Sequence, residues 1–374
     1  MEYRKISDIS TLRNENIKSN KNKNLLYITT THLLPEKEGV SQEFESSLGK
    51  SGKLFYKDDI LVSNIRPYFK KIWKAEKDGI TSNDVLIFLS NDVVHQDYLY
   101  YLLSQDSFFN MMTLTSKGTK MPRGDKKAIA LYEVPILDKK QQKSICDILI
   151  NYDKKIETNN KIIANLEAQA QALFKYYFVD FEPFVDGNFV DSDLGIIPEG
   201  WEISTIGKIS KVRSGKRPNG KTSHPIIPIV GANGLTGYCE DYLYDEKVII
   251  TGRVGTLGIV KKYYKKIWPS DNTLVFTSSN YFEYLYFQLL EVNYSSLNRG
   301  STQPLISQKD IKNIKIVLPN EIIINRFQKI IKNIFELQDF LTNQNQTLAE
   351  TRDALLPKLM AGEIDLENLG GPYD

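Results

Sequence analysis

Cysteine occurs twice and histidine three times in 374 residues. Cys146 and Cys239 lie too far apart in the chain to suggest a disulfide framework or a zinc spacing. His32, His95 and His224 are scattered without the spacing of metal ligands. No run of about 18 apolar residues is present, so no helix is expected to span a bilayer. Behind the charges of Met1-Glu2-Tyr3-Arg4-Lys5 there is no apolar secretory core, and a cytoplasmic location is expected. The chain also lacks a Gly-x-x-x-x-Gly-Lys-Ser/Thr phosphate loop and any Asn-Pro-Pro-aromatic or Asp-Pro-Pro-Tyr string of the kind that serves base amino-methylation. The acidic pairs Asp58-Asp59 and Glu240-Asp241 open predicted strands without the lysine pattern of a metal-dependent nuclease. No catalytic residue, metal site or cofactor is therefore predicted.

What is present is a folded composition, 41% hydrophobic and 25% charged, in a chain too long for one ordinary core. The net charge of +2 hides an uneven distribution. Ile203 to Asn320 carries 16 Lys and Arg against 8 Asp and Glu, whereas Tyr176 to Gly207 holds seven acids and no base. A basic region beside an acidic connector suits a polyanionic ligand, nucleic acid being the commonest, although solvated surface charge would read the same way.

The most informative feature is a repeat with a period near half the chain. Asp58 to Pro67 has a counterpart in Asp245 to Val254, each an acidic start, an apolar β-type run and a turn with one Arg. Ser82-Asn83-Asp84-Val85-Leu86 answers Ser270-Asp271-Asn272-Thr273-Leu274. Tyr98 to Leu103 answers Tyr284 to Leu290, Lys117 to Pro122 answers Arg299 to Pro304, and Glu133-Val134-Pro135 answers Val317-Leu318-Pro319. A duplicated skeleton with divergent loops predicts two similar scaffolds presenting different contact surfaces. Strands are predicted at Leu25–Thr30, Ile60–Ser63, Val85–Leu89, Ile226–Val230, Val248–Thr251 and Thr273–Phe276. Gly231-Ala232-Asn233-Gly234 and Gly252-Arg253-Val254-Gly255 are predicted turns, and the tyrosine-rich segments are predicted helices that pack inside.

A heptad stripe follows each scaffold. Ile145, Ile148, Tyr152, Ile156, Asn159, Ile163, Leu166, Ala170 and Leu173 form the first, and Phe327, Ile330, Ile334, Leu337, Leu341, Gln344, Leu348, Thr351 and Leu355 the second. Such stripes predict coiled-coil packing between two helices of about 35 residues, each roughly 50 Å long. Asn159 and Gln344 would then either pair with each other and fix the register or face solvent. The first helix is expected to end before Phe181-Glu182-Pro183 and the second at Pro357. The predicted class is α+β: two similar mixed α/β domains separated by two long antiparallel coiled-coil helices. The expected boundaries are 1–137, a central helix at 138–178, an acidic linker at 179–200, 201–319, and a C-terminal helix with its tail at 320–374.

These parts in this order resemble the specificity subunits of type I restriction-modification systems over essentially the whole chain. Phe178-Val179-Asp180-Phe181-Glu182-Pro183-Phe184 after the central helix, Leu194-Gly195-Ile196-Ile197-Pro198-Glu199-Gly200-Trp201-Glu202 opening the second domain, and Leu355-Leu356-Pro357-Lys358-Leu359-Met360-Ala361-Gly362-Glu363-Ile364 carry the resemblance. The first domain departs slightly, with Tyr3 where the second has Trp201. The resemblance implies that each target-recognition domain reads half of a split sequence in double-stranded DNA. It implies that the helices set the gap and dock two methyltransferase subunits, to which ATP-dependent restriction subunits add. The methyl donor and ATP would belong to those partners.

Base reading needs planar groups, Arg for guanine and Asn or Gln for adenine, while phosphates need cations and hydroxyls on turns. In the first domain these are Arg66, Lys117, Thr119, Lys120 and Arg123. In the second they are Arg213, Lys216, Arg217, Arg253, Arg299, Ser301, Thr302 and Gln303. Two other readings stay open at this point, the specificity portion of a fused methyltransferase-nuclease and a coiled-coil adaptor that never meets DNA. Catalytic motifs would mark the first, and the basic excess opposes the second.

Overall fold

The computed structural model describes residues 2–21, 25–41, 45–222, 226–300 and 303–364. It divides into two compact units, 1–157 with 345–374, and 158–344. Each unit closes on the same frame. In the first, strand Glu2–Lys5 pairs antiparallel with Glu133–Ile136, and the Ile6 amide donates to the Tyr132 carbonyl at 2.9 Å. In the second, Glu202–Thr205 pairs with Lys315–Leu318, and Ile206 donates to Ile314 at 3.1 Å. Between these brackets, one-turn helices at Ile6–Ile9 and Ile206–Ile209 bury their isoleucines, as the apolar ends of a four-residue turn require.

Each unit then builds a four-stranded antiparallel sheet in one order. In the first it runs Ser10–Leu12, Val85–Ser90, Ile60–Ser63, Ile72–Lys74, and in the second Lys211–Ser214, Thr273–Thr277, Val248–Gly252, Val260–Tyr263. A second sheet in each unit contains one parallel pair, Leu26–Ile28 with Gly79–Thr81 and Ile227–Gly231 with Trp268–Pro269. The β-branched runs Ile60–Ser63 and Val248–Gly252 are buried along their whole length, as expected of central strands. The duplication seen in the sequence is a duplication of topology.

Backbone hydrogen bonds fix its register. Asn64 donates to the Asp84 carbonyl at 2.8 Å, and Arg253 to that of Asn272 at 2.7 Å. Arg66 donates to Pro122 at 2.7 Å and Gly255 to Pro304 at 3.0 Å. Arg253 is thus the counterpart of Asn64, and Arg66 that of Gly255, two residues from the alignment expected above. The closing strands slip likewise: Pro135 answers Val317, and Tyr3, opposite Pro135, answers Ile203 rather than Trp201. The physical reason is that apolar strands align equally well at an offset of two, because side-chain facing repeats with that period.

The tyrosine helices Gln96–Leu103 and Phe282–Leu290 are buried, and the Tyr98 and Tyr284 hydroxyls donate to the carbonyls of Pro135 and Val317. Burial raises both phenols well above their usual range.

The two long helices, Lys139–Phe178 and Glu321–Met360, are 40 residues each. They run antiparallel: in the first unit Asp153 meets Arg352 at 2.6 Å, and in the second Asn159 meets Gln344 and the Ile163 carbonyl meets Gln338 at 3.3 Å. The Asn159 amide donates to Gln344 Oε1 at 2.8 Å, so the two polar heptad residues do pair. Asn159→Leu would strand that acceptor beside an apolar group. Stability of the second unit should fall by about 1–3 kcal/mol, read as a lower urea midpoint, whereas Asn159→Leu with Gln344→Leu should recover most of it.

Part of the predicted stripe is corrected. Ile330 and Leu337 are 41% and 43% exposed, while Ile331, Phe335 and Gln338 are buried instead. The helix must also seat Phe327, Ile331 and Phe335 in the core of its own unit, and this face competes with the coiled-coil seam. Pro357 does not end the second helix. The last turn reaches Met360 because Leu356, Leu359 and Met360 are buried in the first unit's core. The stretch expected as a linker folds too: Phe189–Ser192 pairs with Gly195–Pro198, and Phe181 and Phe184 pack on Trp201.

Candidate nucleic-acid interface

The loops bearing the predicted contact residues gather in each unit. In the first, Lys117 and Arg123 exchange backbone hydrogen bonds at 2.9 Å each, and Arg123 forms a bridge with Ile65. This ties the 117–123 loop to the turn at Arg66, so Arg66, Lys117, Thr119, Lys120 and Arg123 form one exposed group. In the second unit Arg299 donates to Leu305 at 2.9 Å, Ile306 to Arg253 at 2.9 Å, and Val254 bridges Leu305. Arg253, Arg299 and Gln303 are therefore brought together. Ser301 and Thr302 lie outside the described residues.

Asn298 staples this loop, its Oδ1 accepting from the amides of Gly300 and Leu305 at 2.9 Å each. Gly252 is required beside Arg253, since a Cβ there would meet the Thr256 carbonyl oxygen at 1.8 Å. Arg213 lies on the strand Lys211–Ser214, which leads into a separate loop carrying Lys216 and Arg217; Gly215 donates to Thr273 at 3.1 Å and Lys216 to Pro269 at 2.9 Å. The Trp268 indole donates to the Lys216 carbonyl at 2.7 Å. A cleft of about 360 Å³ beside this loop is lined by Arg213, Lys216, Tyr244, Asp245 and Glu246.

The cations divide by partner. Lys117 Nζ sits 2.6 Å from Asp125, Arg123 3.1 Å from Asp84, and Arg299 pairs with Asp310. Hydrogen bonding from Lys117 holds the Asp125 carboxyl below its usual range, and Ser307, helped by Arg299, does so for Asp310. Among the described residues, Arg66, Lys120, Arg213, Lys216, Arg217 and Arg253 have no carboxylate partner, and the buried Nε of Arg253 has no hydrogen-bond partner. A phosphate or base can engage these six without displacing an acid.

Asn64 was not among the residues expected from sequence. It is 7% exposed, its Oδ1 has no partner among the described residues, and it occupies the place of Arg253. Only the corrected register could have singled it out.

The model of the type I restriction modification DNA specificity domain matches residues 1–168 and again 198–351. The chain belongs to this family. The two matches correspond to the two copies of the fold, each carried into its long helix. Among individual proteins, the type I restriction enzyme MjaIX specificity subunit of Methanocaldococcus jannaschii is 31% identical, over 85% of this chain and 80% of that protein. The HindI specificity subunit of Haemophilus influenzae is 25% identical over 96% of this chain and 98% of that one. The S subunit of a type I system from M. genitalium shares the fold, with a TM-score of 0.58 at 16% identity across 96% of this chain and 95% of that one. No helix among the described residues is long and apolar enough to cross a membrane.

Proposed function

We propose that each unit reads one half of a split sequence in double-stranded DNA, with the contact groups just described as the reading surfaces. The supporting observation is that one backbone frame offers different chemistry at equivalent places: Asn64 against Arg253, Arg66 against Gly255, Lys117 against Arg299 and Arg123 against Leu305. A shared scaffold with exchanged side chains is what two readers of different sequences need, because base edges are distinguished by donor and acceptor pattern. The paired helices act as the spacer that sets the unread gap and as the docking surface for two methyltransferase subunits, with ATP-dependent restriction subunits completing the assembly. The chain itself supplies recognition in the cytoplasm, and its partners supply methyl transfer and cleavage.

The test is a genome-wide map of methylated adenines in cells making the modification subunit with and without this chain. Methylation confined to one bipartite sequence, and only when the chain is present, is the expected result. Binding to the modification subunit without sequence-confined methylation would overturn the reading.

A further inference from the structure

Among the described residues, six non-glycine positions adopt the left-handed backbone region: Glu36, Lys37, Asp58, Arg66, Lys70 and Phe181. Four of the six meet at one place in the first unit. Arg66 (φ 51°) and Lys70 (φ 50°) flank the turn Pro67–Phe69, and Glu36 and Lys37 donate to the Phe69 and Lys70 carbonyls at 2.9 and 3.0 Å. A side chain with a Cβ is strained in this region, and such strain persists only where the surroundings impose it.

The second unit joins the equivalent strands by a loop one residue shorter, in which glycine takes the left-handed positions. There the left-handed positions are Gly255 (φ 79°) and Gly258 (φ 83°), and the intervening Leu257 packs inward on the core. The first unit instead holds its turn rigid with Pro67 and directs Tyr68 and Phe69 outward, 46% and 38% exposed, with ring centroids 4.7 Å apart. Lys70 has a local reason for its place, since it pairs with Asp106 at 3.1 Å and Glu36 at 3.6 Å. Arg66 has none: its side chain is exposed and, among the described residues, without a partner, in a place that glycine fills at lower cost in the second unit. Beside it stand exposed Lys120 and Met121, joined through the hydrogen bond from Arg66 to Pro122.

We infer that the Arg66–Lys70 turn is a DNA-contacting wedge of the first unit, with Tyr68 and Phe69 making apolar or stacking contact with bases while Arg66 binds beside them. The inference rests on the proposed reading of DNA and assigns two residues to it that charge alone would not select. Apolar and aromatic side chains held on a stiff support press on thymine methyls or on base steps, and an adjacent guanidinium supplies the polar anchor. Strain is kept at Arg66 because the function needs a cation where the backbone prefers glycine.

Two variants of the full chain, each assembled with its modification subunits, test this. Arg66→Gly should raise the unfolding temperature by about 2–4 °C, since it relieves a left-handed side chain. It should also reduce methylation and relax sequence preference at one half of the target, about 10-fold or more, while leaving intact the half altered by Arg253→Ala. Tyr68→Ala with Phe69→Ala should weaken that same half without altering the other. A rise in stability with an unchanged methylation map overturns the inference, as does a fall in stability on Arg66→Gly or an unchanged map for the aromatic pair. If the unaltered assembly gives no sequence-confined methylation, the DNA-reading proposal fails and this inference falls with it.

Discussion

Arg253→Ala is expected to weaken binding to the second unit's half of the target by about 1–3 kcal/mol and to leave the sequence preference of the first half unchanged. The reason is availability. Arg253 follows the close-packed Gly252 and, among the described residues, has no carboxylate to neutralise it and no hydrogen-bond partner for its buried Nε. A base edge or phosphate oxygen can engage the guanidinium on binding, so truncation removes an interaction made only in the complex. Arg299→Ala should act in the same direction with a smaller effect, under about 1 kcal/mol, because its guanidinium already pairs with Asp310 at the surface. Titration of duplexes altered in one half at a time measures both. Unchanged affinity at the second half for both variants would mean that these loops do not carry its contacts.

The second large effect concerns how the second unit is held on the helix pair. Glu167 of the central helix accepts from the Tyr286 hydroxyl at 3.2 Å, from the Gln338 amide at 3.0 Å and from Lys262 at 3.4 Å. Lys262 Nζ also lies 4.4 Å from the Tyr286 ring centroid and 4.1 Å from that of Phe335. Burial by itself would raise the Glu167 carboxyl, but Lys262, Gln338 and Gln171 more than offset it, and the group is held below its usual range. Burial lowers Lys262 despite its partner, so the pair contributes less than its closeness suggests. Breaking it is another matter. Glu167→Ala leaves a mostly buried ammonium and a phenol unpaired and should cost about 3 kcal/mol, seen as a lower urea midpoint for the second unit. Because the carboxyl is lowered by folding, its contribution is complete above the ordinary glutamate range and is lost as pH falls through the folded-state value. Acid unfolding of Glu167→Gln should accordingly be less steep than that of the unaltered chain. Identical acid profiles would contradict this role.

What the sequence disclosed follows from which signals are local. Strands such as Ile60–Ser63 and Val248–Gly252 are continuous apolar runs bounded by turn residues, and they lie where their composition puts them. A polar residue in the middle of each apolar stripe marks Asn159 and Gln344 as candidates to pair, and the fold decides that they do. Register was less legible, because an offset of two preserves every inward and outward side chain in a strand. That offset made Arg66 look equivalent to Arg253 and hid Asn64. The seam of the C-terminal helix was misplaced at Ile330 and Leu337 because adjacent isoleucines at 330 and 331 satisfy two stripes. The core that takes up Phe327, Ile331 and Phe335 decides between them. The partners of Lys117, Arg123 and Arg299 lie 8, 39 and 11 residues away in irregular or separate elements, so no composition argument separates these cations from the unpaired ones.

The central claim, that one scaffold used twice reads two sequences independently, is tested most directly by exchanging one copy. Replacing residues 206–314 by residues 6–132 joins frames that already close on the same hydrogen bond, Ile6 to Tyr132 and Ile206 to Ile314. Methylation mapping of that hybrid, assembled with its modification subunits, should return a target made of two copies of the first half, with the second half gone. A map that keeps the original second half would show that recognition does not reside in the duplicated units.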